Sequence, residues 1–436
     1  MKKLLLCAAL MASLPAMAAT ATASASAKAP AAKTESNMAD AMESATYELE
    51  QSFGTAKGNP IPILDKLAVY EFSPPTAAKL KTVFGSARPY TLTRAPAAGG
   101  MIAFDFSVPA HNYADLNEQT WSWSALNLNM LTDEAGRTLT SSGSWPAFVI
   151  DGKPGKMTIN NITMEGKQTR NSDDVWVGAA RADAKSLEIS GKNHPFSIKM
   201  EKLSVTSMVE PNGKDYDLGS DLRIELITVM EEKIDDLRAS MRMSKLDLKA
   251  FEQLSSDIRK KTKPGAEPKL DDFGPQIKAF AKGMSARGTA IELTEMSVGY
   301  LGHRALLKGR FSLGKTVEKD FKTTAALLKK MDARFEVRVP VALVTAVTRK
   351  MTAAQAATQA ETPSPEAIDA TVKSMTDMYI KMAVDAGYAR LEGDVLVSML
   401  DYKAGQLTVN GKAIALPAGE GKKPVARAKK PARRSK

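Results

Sequence analysis

Gly152-Lys153-Pro154-Gly155-Lys156-Met157-Thr158-Ile159-Asn160-Asn161-Ile162-Thr163-Met164 is the stretch that decides how the chain is read. A Gly/Pro turn leads into apolar residues at Met157 and Ile159, and again at Ile162 and Met164. Alternation with period two marks a strand that buries one face, and Pro and Gly are the usual turn formers. The glycines superficially resemble a phosphate loop. The spacing is wrong for one, and Met157 stands where Ser or Thr would be needed.

The same pattern extends in both directions. Upstream, Ile102, Phe104 and Phe106 alternate with Ala103, Asp105 and Ser107. Trp121, Trp123 and Ala125 share one parity, while Leu126, Leu128 and Met130 take the other, which predicts a bulge or a strand end between them. Downstream come Val175 and Val177, Leu187 and Ile189, Phe196 to Met200, Leu203 and Val205, Leu222 to Leu226, and Leu237 to Leu248. Turn signals separate them at Asn171-Ser172-Asp173, Gly191-Lys192-Asn193 and Pro211-Asn212-Gly213. Short alternating strands with regular turns imply an antiparallel sheet with one face on a core.

Helical spacing frames and interrupts this series. Met38 to Gln51 carries a short helical pattern that Pro60-Ile61-Pro62 breaks, and Pro75 to Phe84 is a second short helix. Ala250 to Lys260 and Asp271 to Met284 are helical before strands resume at Ile291, Leu307 and Phe335. Glu366 to Ala386 is the clearest helix, with a stripe of Ile368, Val372, Met375, Tyr379 and Met382 and Gly387 at its C-terminal end. Two final strands are expected, about Tyr388 to Tyr402 and Gln406 to Leu416, with Asn410-Gly411 a tight turn or a kink. The fold class is therefore α+β, mainly antiparallel β, an elongated sheet with interspersed helices. N-terminal helices and sheet are expected over 38–265, and a helix-and-strand part continuous with the same sheet over 266–417.

The ends of the chain read differently. Met1-Lys2-Lys3, the apolar run Leu4 to Leu14, and small residues at Ala16 and Ala18 match a secretory signal peptide, 1–18, cleaved after Ala18. An uncleaved anchor is the alternative. Cys7 lies inside the apolar run after Leu6, so it is not a lipid-attachment cysteine. Residues 19–37 form an Ala/Ser/Thr-rich leader that cannot bury a core. The expected location is the periplasm, or export of another kind.

The C-terminal segment carries a resemblance. Gly387-Tyr388-Ala389-Arg390-Leu391-Glu392-Gly393-Asp394, followed by Tyr402-Lys403-Ala404-Gly405-Gln406-Leu407-Thr408-Val409-Asn410-Gly411-Lys412, resembles the end of the YdgA-like bacterial family of unknown function. The steps Ser244 to Phe251 and Phe335 to Pro340 are also similar to it. The resemblance implies a Gram-negative envelope protein with a β-rich body, and it supplies no catalytic residue.

Charge narrows the partners. The 436 residues hold 60 Lys and Arg against 49 Asp and Glu, a net charge of +11. In the basic tail, 418–436, the stretch from Lys422 on holds Lys422, Lys423, Arg427, Lys429, Lys430, Arg433, Arg434 and Lys436 and no acid, and Lys2 and Lys3 stand without one in the signal segment. Between these ends the charges nearly cancel, so no nucleic-acid partner is expected. The tail reads as a tether to anionic lipid or lipopolysaccharide, or as a solubilising appendage.

No catalytic constellation stands out. With Cys7 the single cysteine, an internal disulfide or thiolate zinc site is excluded, and His111, His194 and His303 lie far apart. No cofactor or metal is expected. Asp215-Tyr216-Asp217-Leu218-Gly219-Ser220-Asp221 is the best calcium candidate, but it lacks the loop glycine and distal Glu. Glu231, Glu232, Asp235 and Asp236 are local and interleaved with bases, as in a solvated turn. Trp121 and Trp123 share a strand face, so ligand stacking competes with core packing. Met241, Met243, Met375 and Met382 suggest adaptable apolar packing or a lipid groove. The expected function is that of a non-catalytic exported envelope protein, binding a lipid, an envelope polymer or a protein partner on its sheet. The alternative is a periplasmic hydrolase whose carboxylates meet only in the fold.

Overall fold

The computed structural model describes residues 38–53, 58–116, 118–192, 196–261, 273–357 and 364–414. The expected signal peptide, the leader, His194 and the basic tail lie outside these residues. Half of the structure is strand, in one antiparallel sheet, and 31% is helical, which is the α+β class expected.

Three helices come first: α1 (Met38–Phe53), α2 (Ile61–Ala68) and α3 (Pro74–Phe84). Pro60-Ile61-Pro62, expected only as a break, also opens α2. Prolines need no amide donor in a first helical turn, and the Asn59 Oδ1 accepts the Ile61 N–H at 2.9 Å. Gly85 ends α3 at φ 72°, the left-handed region.

The first part of the sheet comprises β1 (Thr91–Ala97), β2 (Met101–Val108), β3 (His111–Ala114), β4 (Thr120–Trp123), β5 (Leu126–Asp133), β6 (Thr138–Asp151) and β7 (Gly155–Arg170). Then follow β8 (Trp176–Gly191), β9 (Ser197–Asn212), β10 (Asp215–Val229) and β11 (Glu232–Leu246). Helices α4 (Leu248–Lys261) and α5 (Gly274–Arg287) intervene before β12 (Ala290–Tyr300) and β13 (His303–Leu313). Beyond the short α6 (Thr324–Leu328) come β14 (Met331–Pro340), the hairpin α7 (Val341–Ala356) and α8 (Pro365–Asp385), β15 (Arg390–Glu392), β16 (Val395–Lys403), β17 (Gln406–Val409) and β18 (Lys412–Ile414).

Pairing is almost wholly sequential, because hairpin turns join neighbours. The order runs β1, β2, β5 to β14, β16, β17, β18, with β4 beside the second half of β6 and β15 beside the first half of β16. The change of parity near Ala125 is a strand end, β4 stopping at Trp123 and β5 starting at Leu126. The single strand expected over Tyr388 to Tyr402 is instead a hairpin of β15 and β16, turned at Gly393 with φ 59°. Asn410-Gly411 is a tight turn, both residues at positive φ, joining β17 to β18.

A crease crosses the long strands. Trp145 and Phe148, Ile159 and Ile162, and Ile224 and Ile227 are buried in pairs three residues apart, so the alternation reverses between them. Asn161, Lys202 and Asp236 lie on this line at φ 49°, 52° and 45°. Left-handed residues break the two-residue repeat and bend the strand. Pro146, which lacks an N–H for a central ladder, falls on the same line, where β6 changes neighbour from β5 to β4. The reversal keeps Ile159 and Ile162 of the opening stretch on one side of the sheet.

The main core lies under α1 to α3, where Ala41, Leu64, Leu80 and Val83 join Phe104, Leu128, Met130, Trp145 and Ile162. A smaller one lies under α4 and α5, around Tyr216, Leu246 and Leu248. Phe104→Ala is expected to cost about 3–5 kcal/mol, because its side chain is fully buried. Val205→Ala, in the same face but beyond the helices, is expected to cost less than about 1 kcal/mol. Urea unfolding of both variants measures the contrast.

Candidate functional site

Residues directly opposite each other across antiparallel strands share a face, so the register assigns the chemistry of both faces. One row reads Phe106, Leu128, Gly143, Met164, Ala182, Val205, Leu222, Ala239, Met296, Leu307 and Val337, from β2 to β14. The neighbouring row on the other face reads Asp105, Asn129, Ser142, Glu165, Arg181, Thr206, Asp221, Ser240 and Glu295. The sheet is amphipathic across its whole width.

The apolar face is closed at one end and uncovered further along. At β2 to β7 it is the core under α1 to α3. From β8 onward it is half-buried, and Val205, Met241 and Met296 are 46, 49 and 49% exposed. Phe251 of α4 and Phe280 of α5 pack along one side, on Val209, Leu218 and Met243. On the other side α7 reaches across the strand ends, where Lys350 pairs with Glu232 and lies over the Tyr300 ring at 5.8 Å. Between these helices runs a trough with a floor of low relief, because Ala180, Ser207 and Ser220 are small. At Gly309 the missing side chain leaves room for the Phe335 ring, which a Cβ would strike at 2.1 Å. From β8 to β14 the floor spans roughly 30 Å at the usual strand spacing.

On the polar face many of the charges are paired across strands. Arg238 Nε and Nη2, Arg223 Nε and Arg304 Nη2 all donate to the Asp236 carboxylate, at 3.1, 2.6, 2.9 and 2.6 Å. These guanidiniums, Arg238 foremost, hold Asp236 well below the usual carboxylate range despite partial burial. Asp217 is also lowered. Its partial burial opposes this but is outweighed by the Asn212 amide, the Lys245 N–H and Arg242. Glu48, Asp133, Asp183 and Glu232 shift in the same direction. A general acid needs the opposite shift. Asp215 is held by Arg287 at 2.8 Å, and no group of metal ligands occurs among the described residues.

A family model for a bacterial protein of unknown function, DUF945, matches residues 60–417. The chain belongs to that family. It matches no curated protein and no solved structure.

Within this DUF945 chain the residues singled out from sequence fall in several places. Trp121 and Trp123 are buried in the main core. Trp121 meets Phe148, Trp123 meets Phe84 and His111, and the Trp123 indole donates to the Pro109 carbonyl at 3.1 Å. Of the four methionines, Met241 lies on the open floor, Met243 packs against α4 and α5, and Met375 accepts from Thr352. Met382, expected on the inner stripe of its helix, is instead 61% exposed, because Val372 and Thr376 face the partner helix. Gly152 to Gly155 is a turn closed by reciprocal backbone bonds. The tail bases Lys422 to Lys436 lie outside the described residues. Sequence reasoning named Val205 only as a strand residue and missed its place in the floor. The signal was present in the series of alternating apolar positions, but the register and the gap between helices were not.

Asp236 joins β10, β11 and β13 through three arginines. Asp236→Asn is expected to lower stability by about 1–2 kcal/mol at pH 7, discounting for solvent. A depressed carboxylate stabilises above its unfolded value, about 3.9, and loses that contribution as pH falls through its folded value. The gap in melting temperature between wild type and variant should therefore close below about pH 3. Calorimetry across that range measures it.

Proposed function

We propose that this chain is an exported, non-catalytic envelope protein that shelters the acyl part of a lipid in the trough. The observation that carries the reading is the half-exposed apolar row from Ala182 to Val337, continuous in register and uncovered between two helical banks. Large apolar patches left to water mark binding surfaces. The rows through Val205 and Met241 carry no charged side chain from β8 to β14, and their backbone groups are engaged in the ladder. Such a floor has little with which to orient a sugar polymer and no free edge for an added peptide strand. Aliphatic and methionine side chains suit a chain of methylenes whose shape varies. The floor is also long enough, since one acyl layer takes up about half of the ~30 Å hydrocarbon core of a bilayer.

The signal-like first eighteen residues and the YdgA-like segment from Gly387 to Lys412 support the envelope location. No helix among the described residues is long and apolar enough to cross a membrane. The eight bases from Lys422 to Lys436 add attraction to anionic lipid or lipopolysaccharide, about 1 kcal/mol each near such a surface.

Delipidated protein is expected to take up a fluorescent C16 fatty acid, and Val205→Glu or Met241→Glu to weaken uptake at least tenfold. Thr206→Glu, on the polar face, should leave it unchanged. Absence of uptake by the folded wild type, or equal loss in all three variants, would overturn the reading. Deleting residues 422–436 should remove the salt-sensitive part of binding to phosphatidylglycerol vesicles while fatty-acid uptake persists.

A further inference from the structure

The hairpin turns along one long edge of the sheet are polar, and most of those along the other carry one exposed apolar side chain. On one edge, the turns after β5, β7 and β9 present Glu134, Ser172, Asp173, Gly213 and Lys214, the residue types that turns favour. On the other edge, the β3–β4, β8–β9, β10–β11 and β12–β13 connections present Leu116, Phe196, Met230 and Leu301, while the β6–β7 turn between them presents Lys153, paired with Glu118. The four apolar residues are 75, 45, 55 and 43% exposed. The register fixes the edge they share, because Thr120 pairs with Asp151, Gly155 with Gly191, Ile198 with Val229 and Ile234 with Tyr300. A bond from the Met230 N–H to the Ser197 carbonyl, 2.7 Å, ties two of the tips together.

Two of these side chains occupy positions where the backbone disfavours them. Met230 has φ 58° and Leu301 φ 52°, and they are the large apolar residues among the described non-glycine residues at positive φ. Leu301-Gly302, with both φ positive, is the turn for which Asn-Gly is the favoured pair, as at Asn410-Gly411 in the same chain. Turn preference does not account for a bulky, half-exposed hydrophobe at a left-handed position.

We propose that this edge docks on a lipid bilayer, with the four apolar tips inserted at the interface. The arrangement favours a bilayer over a protein partner. The tips of β8–β9, β10–β11 and β12–β13 are two strands apart, about 9.5 Å, and each offers one side chain at the narrow rim of a single sheet. A stable protein interface needs a contiguous patch of about 800 Å² on each partner, whereas a fluid bilayer receives spaced side chains one at a time. Met and Leu at the water–hydrocarbon boundary gain burial without any matching partner surface. The docking does not depend on the trough being a lipid site.

Full-length protein is expected to co-sediment with phosphatidylcholine vesicles in about 1 M salt, where screening over about 3 Å silences the tail. The double variant Met230→Asn, Leu301→Asn should bind at least tenfold more weakly while melting at the same or a higher temperature, since Asn suits both turns. A purely structural role would predict the reverse, with unchanged binding. The added fluorescence of a Leu301→Trp variant should be quenched by acyl chains brominated near the headgroup, and Val205→Glu should bind vesicles as wild type does. Three results would overturn the proposal: wild type that stays in the supernatant, a double variant that binds normally, or a Leu301→Trp variant no more sensitive to bromine than wild type.

Discussion

A sheet with one apolar face and one polar face cannot stand alone in water, and nearly everything else in this protein follows from that. Alternation along each strand and in-register pairing between strands segregate Phe104, Met130, Val205 and Met241 from Asp105, Asn129, Thr206 and Ser240. The polar face satisfies itself through cross-strand ion pairs and hydroxyls. The apolar face must be covered, and the helices are the covers. Three of them close the N-terminal end, where Phe104 and Met130 are fully buried, and two pairs flank the remainder. What is left between them is the trough.

The crease solves a second problem. Strands of about fifteen residues would twist away from a flat cover if they ran straight. Reversing the alternation at Asn161, Lys202 and Asp236 bends the strands while both halves keep their apolar residues on one side. Asp236 shows how this local strain is held. Its left-handed backbone sits on the crease, and its carboxylate gathers arginines from β10, β11 and β13. In sequence it is one of four acids that resemble a solvated turn, and in the fold it is the centre of a clamp.

Most of the strands were legible because each carries its own period and its own turn. The helix of residues 365–385 was legible for the same reason, with Ser364 capping it and Gly387 beyond its end. Errors arose where one local signal has two meanings. Pro60 and Pro62 end one helix but also begin another, since a first helical turn needs no amide donors. Gly393 interrupts a run that alternates on both sides, so a hairpin read as one strand. Met382 continues a helical stripe in sequence, but the face that meets the partner helix runs through Val372 and Thr376 and passes it by.

The site was legible only in its parts. The sequence by itself determined that this is an α+β chain with alternating strands, that its charge sits in a terminal tail, and that it lacks a cysteine or histidine constellation. Those properties are local, fixed by period, composition and spacing. Only the tertiary structure decided that Trp121 and Trp123 are core, that Val205, Met241 and Met296 line one floor, and that Leu116, Phe196, Met230 and Leu301 share one edge. These depend on register and on where helices distant in sequence come to rest, and both are set by the summed packing of the whole sheet.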